Sequence, residues 1–261
     1  MSSLGERMKE YERVTDVRLI NRIPIIVRVD GKAFHTFTKG FMKPYDKVLM
    51  NAMQYTMKYL CEHIEGCVFG YTQSDEISLV IWNSNPFAEP WFDNRLQKIT
   101  SITASMATWA FNQFFREEQA KYQYSIGDII YYQKHKYALD IAALFDSRAY
   151  NMPIYEVENY FIWRQQDCTR NAVQMAARTY YSHKDVQNKD SNELQELLFQ
   201  KGINFNDYPE EFKRGSCCIK IPTEVETANG MVVRNKWDIR KNIPIFTTDR
   251  SYIRYFAFGE E

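Results

Sequence analysis

The sequence lacks a long apolar run: nowhere in its 261 residues do about 20 consecutive apolar residues occur, the length that a membrane-spanning helix requires. Its first residues, MSSLGERMKEYERV, are charged where a signal peptide would carry an apolar segment. Both absences argue against a membrane protein or a secreted one. We therefore expect a cytoplasmic protein with no membrane partner.

Cysteine pairs with metal-site spacing are also missing. The five cysteines are odd in number and no two of them form a C-x-x-C motif, so neither a zinc site nor a redox motif is indicated. The net charge is zero, with 33 Lys and Arg against 33 Asp and Glu, and overall charge therefore favours no partner. Nucleic acid stays possible, because phosphate binding needs only a local basic patch.

The apolar patterns that are present predict an ordered series of strands and helices. An amphipathic helix is predicted at 3–19, strands at 23–29, 67–72, 77–82 and 139–145, and helices at 44–64 and about 93–121. The order β, α, β, β, α, β is that of a ferredoxin-like fold, so the fold class is α+β. We assign 1–150 to a palm-like catalytic domain with an N-terminal helix. Residues 151–261 are predicted to form a C-terminal helical and β-hairpin appendage packed on it.

This strand order places carboxylates from distant motifs together. The first and third strands are antiparallel neighbours, so Asp30, at the end of the first, should lie beside Asp75 and Glu76, at the turn between the second and third. Such carboxylates raise one another's pKa unless a cation neutralises them, and oxygen ligands favour Mg²⁺. Together with Gly31 and several nearby cations, the pattern favours a site that binds a nucleoside triphosphate and catalyses phosphoryl transfer with two metal ions. Alternatively, Asp-Gly and Ser-Asp-Glu are ordinary turn sequences.

Six segments, taken together, carry a family resemblance. They are RVDGKAFHTF (28–37), FMKPYD (41–46), GYTQSDEISLV (70–80), FDSRAYNMP (145–153), WRQQDC (163–168) and KGINFNDYPEEFKRG (201–215). With them the chain resembles the tRNA-His guanylyltransferase family, and more closely its Thg1-like branch of 3′-to-5′ polymerases. The resemblance implies a polymerase/cyclase-type palm that binds two Mg²⁺ ions and adds nucleotides to the 5′ end of tRNA.

The resemblance also implies roles for particular residues. Asp30, Gly31 and Asp75 would hold the metals, and Asp30, Asp75 and Glu76 would be the catalytic carboxylates. The nucleotide would be bound by Asp30, Gly31, Lys32, Ala33, Phe34, His35, Lys43, Asp46, Ser74 and Asp75. For Phe34 a place in the core is the alternative, and for His35 a place in a loop.

Five cations are further candidates. Arg95 and Lys98 lie three residues apart on a predicted helix and could face a triphosphate together, or they could form a solvated face. Arg164 could bind RNA or pair with Asp167 at i+3. Lys213 and Arg214 could bind RNA or belong to a solvated surface.

One departure from the family's pattern bears on the reaction. After RQxDC, the eukaryotic enzymes carry His-Ile-Asn-Asn, which is linked to recognition of tRNA-His, whereas this chain continues with Thr169, Arg170, Asn171 and Ala172. Template-dependent repair of 5′-truncated tRNA after activation by ATP or GTP therefore fits better than addition of G at position −1. A nucleotide cyclase and a silent RNA-binding protein are the rivals. The family implies a homodimer or homotetramer.

Overall fold

One antiparallel sheet organises the chain. The computed structural model describes residues 3–83, 85, 87–122, 129–227 and 230–259. The strands are β1 (Ile25–Gly31), β2 (Cys67–Gln73), β3 (Glu76–Ile81), β4 (Phe145–Asn151), β5 (Ser216–Thr227) and β6 (Gly230–Arg240). They form a six-stranded sheet in the order β4-β1-β3-β2-β5-β6, with every pairing antiparallel. The protein is therefore a mixed α and β structure, in agreement with the predicted class.

Helices connect the strands and cover both faces of the sheet. In chain order they are α1 (Leu4–Arg13), α2 (Phe34–Phe37), α3 (Lys47–His63), α4 (Leu96–Ala120), α5 (Ile129–Lys134), α6 (Lys136–Asp140), α7 (Ile154–Tyr180), α8 (His183–Val186), α9 (Ser191–Gln200), α10 (Glu210–Arg214) and α11 (Ser251–Phe258). In the part of the chain that the structure describes, no helix combines the length and the apolar composition needed to cross a membrane.

Alternate residues of β1 point into two different cores, because side chains in a strand alternate between the faces of a sheet. Val27 and Val29 join the core that α3 and α4 form on one face. Ile26 joins the core that α7 and α11 form on the other face. Central strands covered on both sides are continuously apolar, which explains why β1 to β3 were predictable from their apolar runs.

The fourth strand was predicted in the wrong place. The predicted strand at 139–145 overlaps helix α6, whereas β4 runs from Phe145 to Asn151 and pairs with β1. The apolar run of the earlier segment contributes Ala138 and Ala143 to the core. β4 is an edge strand whose Asp146 and Arg148 are exposed, so its sequence is polar where a buried strand would be apolar.

The N-terminal helix is shorter than the sequence predicts. Helix α1 ends at Arg13, and the following segment is extended and pairs with the start of α4. The Leu19 N–H donates to the Asn94 carbonyl oxygen over 2.9 Å, and the Leu96 N–H donates to the Val17 carbonyl oxygen over 2.9 Å. These hydrogen bonds to the start of α4 therefore take the place of the last turns of the predicted helix.

The C-terminal strands extend the same sheet. β5 pairs with β2 through Gly70 to Thr72, and β6 pairs with β5 along its whole length, as the predicted hairpin requires. A third core lies between α7 and α9. The division of the chain at residue 150 stays a prediction, and the sheet continues across it.

Candidate active site

Strand β1 ends beside the turn that joins β2 to β3. Asp30 is paired with Glu76 in the β1–β3 ladder. The Gly31 N–H donates to the carbonyl oxygen of Asp75 over 3.1 Å. The structure thus brings Asp30, Asp75 and Glu76 together, as the strand order predicts.

These carboxylates crowd one another. Burial raises the pKa of Asp75, and the negative charge of Asp30 raises it further, although Ser74 Oγ donates a hydrogen bond to Asp75 Oδ1 over 2.9 Å. Burial likewise raises the pKa of Glu76 and outweighs the effect of two nearby arginines, while Asp30 adds to the rise. Like charges therefore meet in a partly buried place, and a cation would relieve their repulsion.

Glu76 differs from Asp75 because its carboxylate contacts arginines of the fold. Its Oε2 lies 3.4 Å from Arg164 Nη1 and 3.8 Å from Arg28 Nε. Ser78 Oγ donates to its Oε1 over 3.3 Å. Glu76 is 7% exposed and so fixes two arginines beneath the site. A catalytic role for Glu76 itself stays a prediction.

The oxygen atoms that could hold a divalent cation here are those of Asp30, Asp75 and the Gly31 carbonyl. No group of three or more His, Cys, Asp or Glu side chains placed to hold a metal occurs among the residues that the structure describes. Two carboxylates nevertheless suit Mg²⁺, which usually takes one or two and completes its shell with water and substrate phosphates. The repulsion that raises the pKa of Asp75 is the feature of this chain that fits such an ion.

A cleft of about 500 Å³, the main cleft, opens next to these carboxylates. Eight of the predicted nucleotide-binding residues line it: Gly31, Ala33, Phe34, His35, Lys43, Asp46, Ser74 and Asp75. Apolar parts of the wall come from Met42, Tyr45, Leu49 and Met175. Polar groups at one end and apolar side chains along the wall suit a ligand with a charged part and a flat apolar part.

The segment after Asp30 faces this cleft with its backbone. Phe34 is 5% exposed, and its ring packs against Phe37, Phe111 and Phe145 in the core. A Cβ atom on Gly31 would lie 2.2 Å from Phe34 Cδ2, so only glycine fits there. Ala33 has a left-handed backbone (φ 53°) and begins α2, whose first N–H groups have no partner within a helix.

Asp46 borders the cleft, but its carboxylate is engaged inside the fold. Its Oδ1 accepts hydrogen bonds from the Leu49 N–H (3.1 Å) and Tyr131 Oη (3.0 Å). Its Oδ2 accepts from the Met42 N–H (3.1 Å) and lies 3.0 Å from His135 Nε2. Burial raises the pKa of Asp46, but the hydrogen bond and charge of His135 and the two backbone donors outweigh it, and the net pKa is lowered. Asp46 therefore caps α3 and fixes the buried His135.

Arg95 and Lys98 lie elsewhere, in a cleft of about 480 Å³ that we call the arginine cleft. It is lined by Lys9, Glu12, Arg13, Asp16, Arg18, Arg95 and Lys98, among others. Arg95 Nε lies 3.4 Å from Asp16 Oδ1. Asn94 shares a cavity wall with Ile25, the first residue of β1. The length of β1, about 17 Å from Ile25 to Asp30, separates the two sites within one chain.

The three cations predicted to bind RNA have acidic partners. Arg164 is buried and its Nη2 lies 2.6 Å from Asp167 Oδ2, the i+3 pairing that was the alternative. Lys213 is also buried and its Nζ lies 2.9 Å from Glu210 Oε1. Arg214 pairs with the same Glu210. Their contact with RNA stays a prediction.

Sequence reasoning missed several residues near the site. Gln73, Met175 and Asn171 line a cavity beside the main cleft. Arg148 Nη2 lies 4.0 Å from Asp30 Oδ2, and Asp146 is paired with Asp30 across β1 and β4. The position of Gln73 next to Ser74 and Asp75 was a usable signal. The others depend on the path of α7 and on the true position of β4.

Comparison with known proteins identifies relatives over most of the chain. A family model described as tRNAHis guanylyltransferase matches residues 5–153. The chain is 31% identical over 239 residues to the tRNA(His) guanylyltransferase of Schizosaccharomyces pombe, covering 85% of this chain and 82% of that protein. It is 29% identical to tRNA(His) guanylyltransferase 1 of Arabidopsis thaliana, of which it spans only 38%.

Solved structures agree with the sequence comparison. A bacterial tRNA(His) guanylyltransferase (Thg1)-like protein in complex with ATP is 40% identical, with a TM-score of 0.82 over 98% of this chain and 100% of that chain. A structure of the same description in complex with GTP is 39% identical, with a TM-score of 0.80 and the same coverage. The likeness therefore includes the C-terminal part of the chain as well as the first four strands.

Proposed function

The chain belongs to the tRNAHis guanylyltransferase family, a family of nucleotidyltransferases, and on that premise we propose that it adds nucleotides in the 3′-to-5′ direction to the 5′ end of a tRNA. The observation that carries the proposal is the meeting of Asp30 and Asp75 at two adjacent strand ends, beside a cleft of about 500 Å³. Partly buried carboxylates next to a cleft suit a nucleotide that arrives with Mg²⁺.

The first four strands with α3 and α4 are proposed to be a ferredoxin-like palm of the polymerase and cyclase type. Their order in the sheet, β4-β1-β3-β2, supports this, as does the position of both helices on one face. In such a palm the carboxylates lie on strands that the cores hold rigidly. Asp30 follows the fully buried Val29, and Asp75 precedes the fully buried Ile77.

The main cleft is proposed to bind ATP, GTP or the incoming nucleotide. The relatives solved with ATP and with GTP support this ligand class. Here the backbone from Ala33 to His35 would contact phosphates through N–H groups that the first turn of α2 leaves open. Lys43, exposed at the cleft wall, adds a positive charge.

The proposed reaction has two stages. An oxygen of the 5′-monophosphate first attacks the α-phosphorus of ATP or GTP and releases pyrophosphate, which leaves a 5′-5′ linked nucleotide on the RNA. The 3′-hydroxyl of the incoming nucleotide then attacks the 5′ phosphorus of the RNA, gives its proton to solvent and releases AMP or GMP. Asp30 and Asp75 would hold two Mg²⁺ ions, which supply stabilisation of charge on the attacking and leaving oxygens. No side chain of the protein needs to act as a nucleophile. Glu76 is proposed to act as a third carboxylate of the site.

Template-dependent repair is the proposed form of the reaction, because Thr169, Arg170 and Ala172 stand where the eukaryotic family members carry His, Ile and Asn of the tRNA-His segment. Ala172 lines a cavity beside the main cleft, so this part of the departure lies next to the candidate site. The assembly into a homodimer or homotetramer stays a prediction.

The test uses four tRNAs that lack one 5′ nucleotide and differ only in the base opposite the gap. Each is incubated with the purified chain, Mg²⁺, ATP for activation and one nucleoside triphosphate at a time, and the products are separated by length. Extension only in reactions that contain the complementary nucleotide is the expected result, and the tRNA with U opposite the gap should be extended in every reaction because ATP is always present. An intact tRNA of the same sequence is the control and should not be extended.

Three outcomes would contradict the proposal in different ways. Addition of G whatever the opposing base would indicate guanylyltransfer at position −1. Release of a cyclic nucleotide without RNA would indicate a cyclase. Binding of RNA without turnover on any of the tRNAs would indicate a silent RNA-binding protein.

A further inference from the structure

A smaller cavity of about 100 Å³, the inner cavity, adjoins the main cleft. Six residues line both spaces: Pro44, Tyr45, Asp46, Leu49, Ser74 and Met175. From this common wall the inner cavity extends to Gln73 at the end of β2, to α7 and to α10. The two spaces therefore share a wall, and the inner cavity is next to the place of a ligand in the main cleft.

Gln73 has an unused hydrogen-bond acceptor at this place. Its side chain is 6% exposed, and its Oε1 accepts no hydrogen bond from any residue that the structure describes. A buried polar atom without a partner is costly and uncommon in folded proteins. Gln73 immediately precedes Ser74 and Asp75, so this acceptor is at the candidate active site.

Some of the polar groups that line the inner cavity have other partners. The Cys168 thiol donates to the Phe212 carbonyl oxygen. Asp46 is an acceptor whose oxygens are already bonded. Because no residue that the structure describes donates to Gln73 Oε1, we expect its donor to come from a ligand.

We propose that Gln73 Oε1 accepts a hydrogen bond from the exocyclic amino group of the purine base of the activating nucleotide, and that Gln73 thereby favours activating nucleotides that carry such a group. Leu49, Met175 and Pro44 provide apolar surface for the faces of the ring, and Gln73 meets its polar edge. A base without an amino group leaves the acceptor unpaired. This inference rests on the proposed nucleotide site.

The test compares ATP with purine riboside triphosphate, which differs from ATP by the absence of the 6-amino group. Calorimetry with Mg²⁺ gives the dissociation constants for the wild type and for Gln73→Met, which keeps the side-chain length but has no amide. The wild type is expected to bind ATP at least about tenfold more tightly than purine riboside triphosphate, because only ATP can form the buried hydrogen bond. In Gln73→Met the two constants should agree within about twofold, because ATP loses its bond.

Gln54→Met is the matched control, since it removes a buried amide that is bonded within the fold and does not line either cavity. It should keep the wild-type preference for ATP. Without nucleotide, Gln73→Met should melt at the same temperature as the wild type or higher, because it removes an unpaired buried acceptor. Gln54→Met should melt lower.

The outcomes separate this inference from the function it rests on. Equal affinity of the wild type for the two nucleotides, or an unchanged preference in Gln73→Met, would overturn the role of Gln73 while the nucleotide site stands. A lower melting temperature of Gln73→Met would show that the fold itself uses the amide, with the same consequence. Failure of the wild type to bind either nucleotide would refute the proposed function itself.

Discussion

The two ends of strand β1 carry opposite kinds of charge arrangement. At the Asp30 end, carboxylates are crowded and partly buried, and the pKa values of Asp75 and Glu76 are raised by burial and by Asp30. At the other end, the arginine cleft interleaves cations with acids: Arg18 contacts both Asp16 and Asp93, and Arg95 contacts Asp16. Arginines lie near the acids at both ends, but at the Asp30 end the carboxylates of Asp75 and Glu76 are partly buried and their pKa values stay raised, whereas the pairs of the arginine cleft are exposed.

This difference teaches where an external partner is needed. Ion pairs on a surface satisfy each other, cost little and contribute little. Buried like charges lower the stability of the fold. Groups that are retained despite this cost are typical of catalytic sites. Both ends of β1 contain acids close to arginines, and the burial of the carboxylates separates them.

Matched Asp→Asn changes at the two ends should give the largest contrast. Asp75→Asn is expected to lower nucleotide transfer by about 10²- to 10³-fold, the scale for losing a group that stabilises charge in a transition state. Asp16→Asn should keep transfer within about fivefold, because an exposed pair contributes at most about 1 kcal/mol. Initial rates on a 5′-truncated tRNA measure both.

The thermal unfolding of the same two variants shows whether activity was lost with the fold. Asp75→Asn should melt at the wild-type temperature or above it without Mg²⁺, because it relieves repulsion from Asp30. A comparable loss of transfer in Asp16→Asn would remove the distinction drawn between the two ends.

Asp46 extends the comparison to a carboxylate that borders the main cleft but has partners of its own. Asp46→Ala should lower the free energy of unfolding by about 3 kcal/mol, because it removes a helix cap and leaves His135 and Tyr131 without their buried acceptor. Asp190→Ala is the control: Asp190 caps α9 through two N–H groups and is exposed. Asp190→Ala should lower the free energy of unfolding by about 1 kcal/mol.

Urea unfolding followed by circular dichroism measures both changes. Equal losses in the two variants would mean that Asp46 is only a cap, and that its contact with His135 adds nothing to stability. A loss confined to nucleotide binding would instead restore Asp46 as a ligand contact.

The buried strands and the meeting of the carboxylates could be predicted from sequence for one physical reason. Strands covered on both faces are continuously apolar, so β1, β2 and β3 were found near their true bounds. Once the order of these strands is given, antiparallel pairing requires the end of β1 to meet the turn after β2. Asp30 and Asp75 follow from the topology without knowledge of any side-chain contact.

What could not be predicted depends on tertiary surroundings. β4 is an edge strand with polar side chains on its open face, so the apolar run before it was the stronger strand signal. The buried place of Asp46 depends on His135, which comes from α6 and leaves no pattern near the FMKPYD segment. The separation of Arg95 from Asp30 depends on which end of the sheet α4 starts from. Helical spacing of charges does not reveal that.

The smallest expected effect concerns the stability of the arginine cleft. Asp16→Asn removes the acid that Arg18 and Arg95 share, yet these side chains are 33 to 41% exposed. We expect the free energy of unfolding to fall by less than about 1 kcal/mol at low salt. The difference should vanish in 1 M NaCl, where charges are screened over about 3 Å. Urea unfolding at the two salt concentrations measures it, and a loss that persists in high salt would mean that the cluster is buried structure and that the contrast with the Asp30 end is smaller than its geometry indicates.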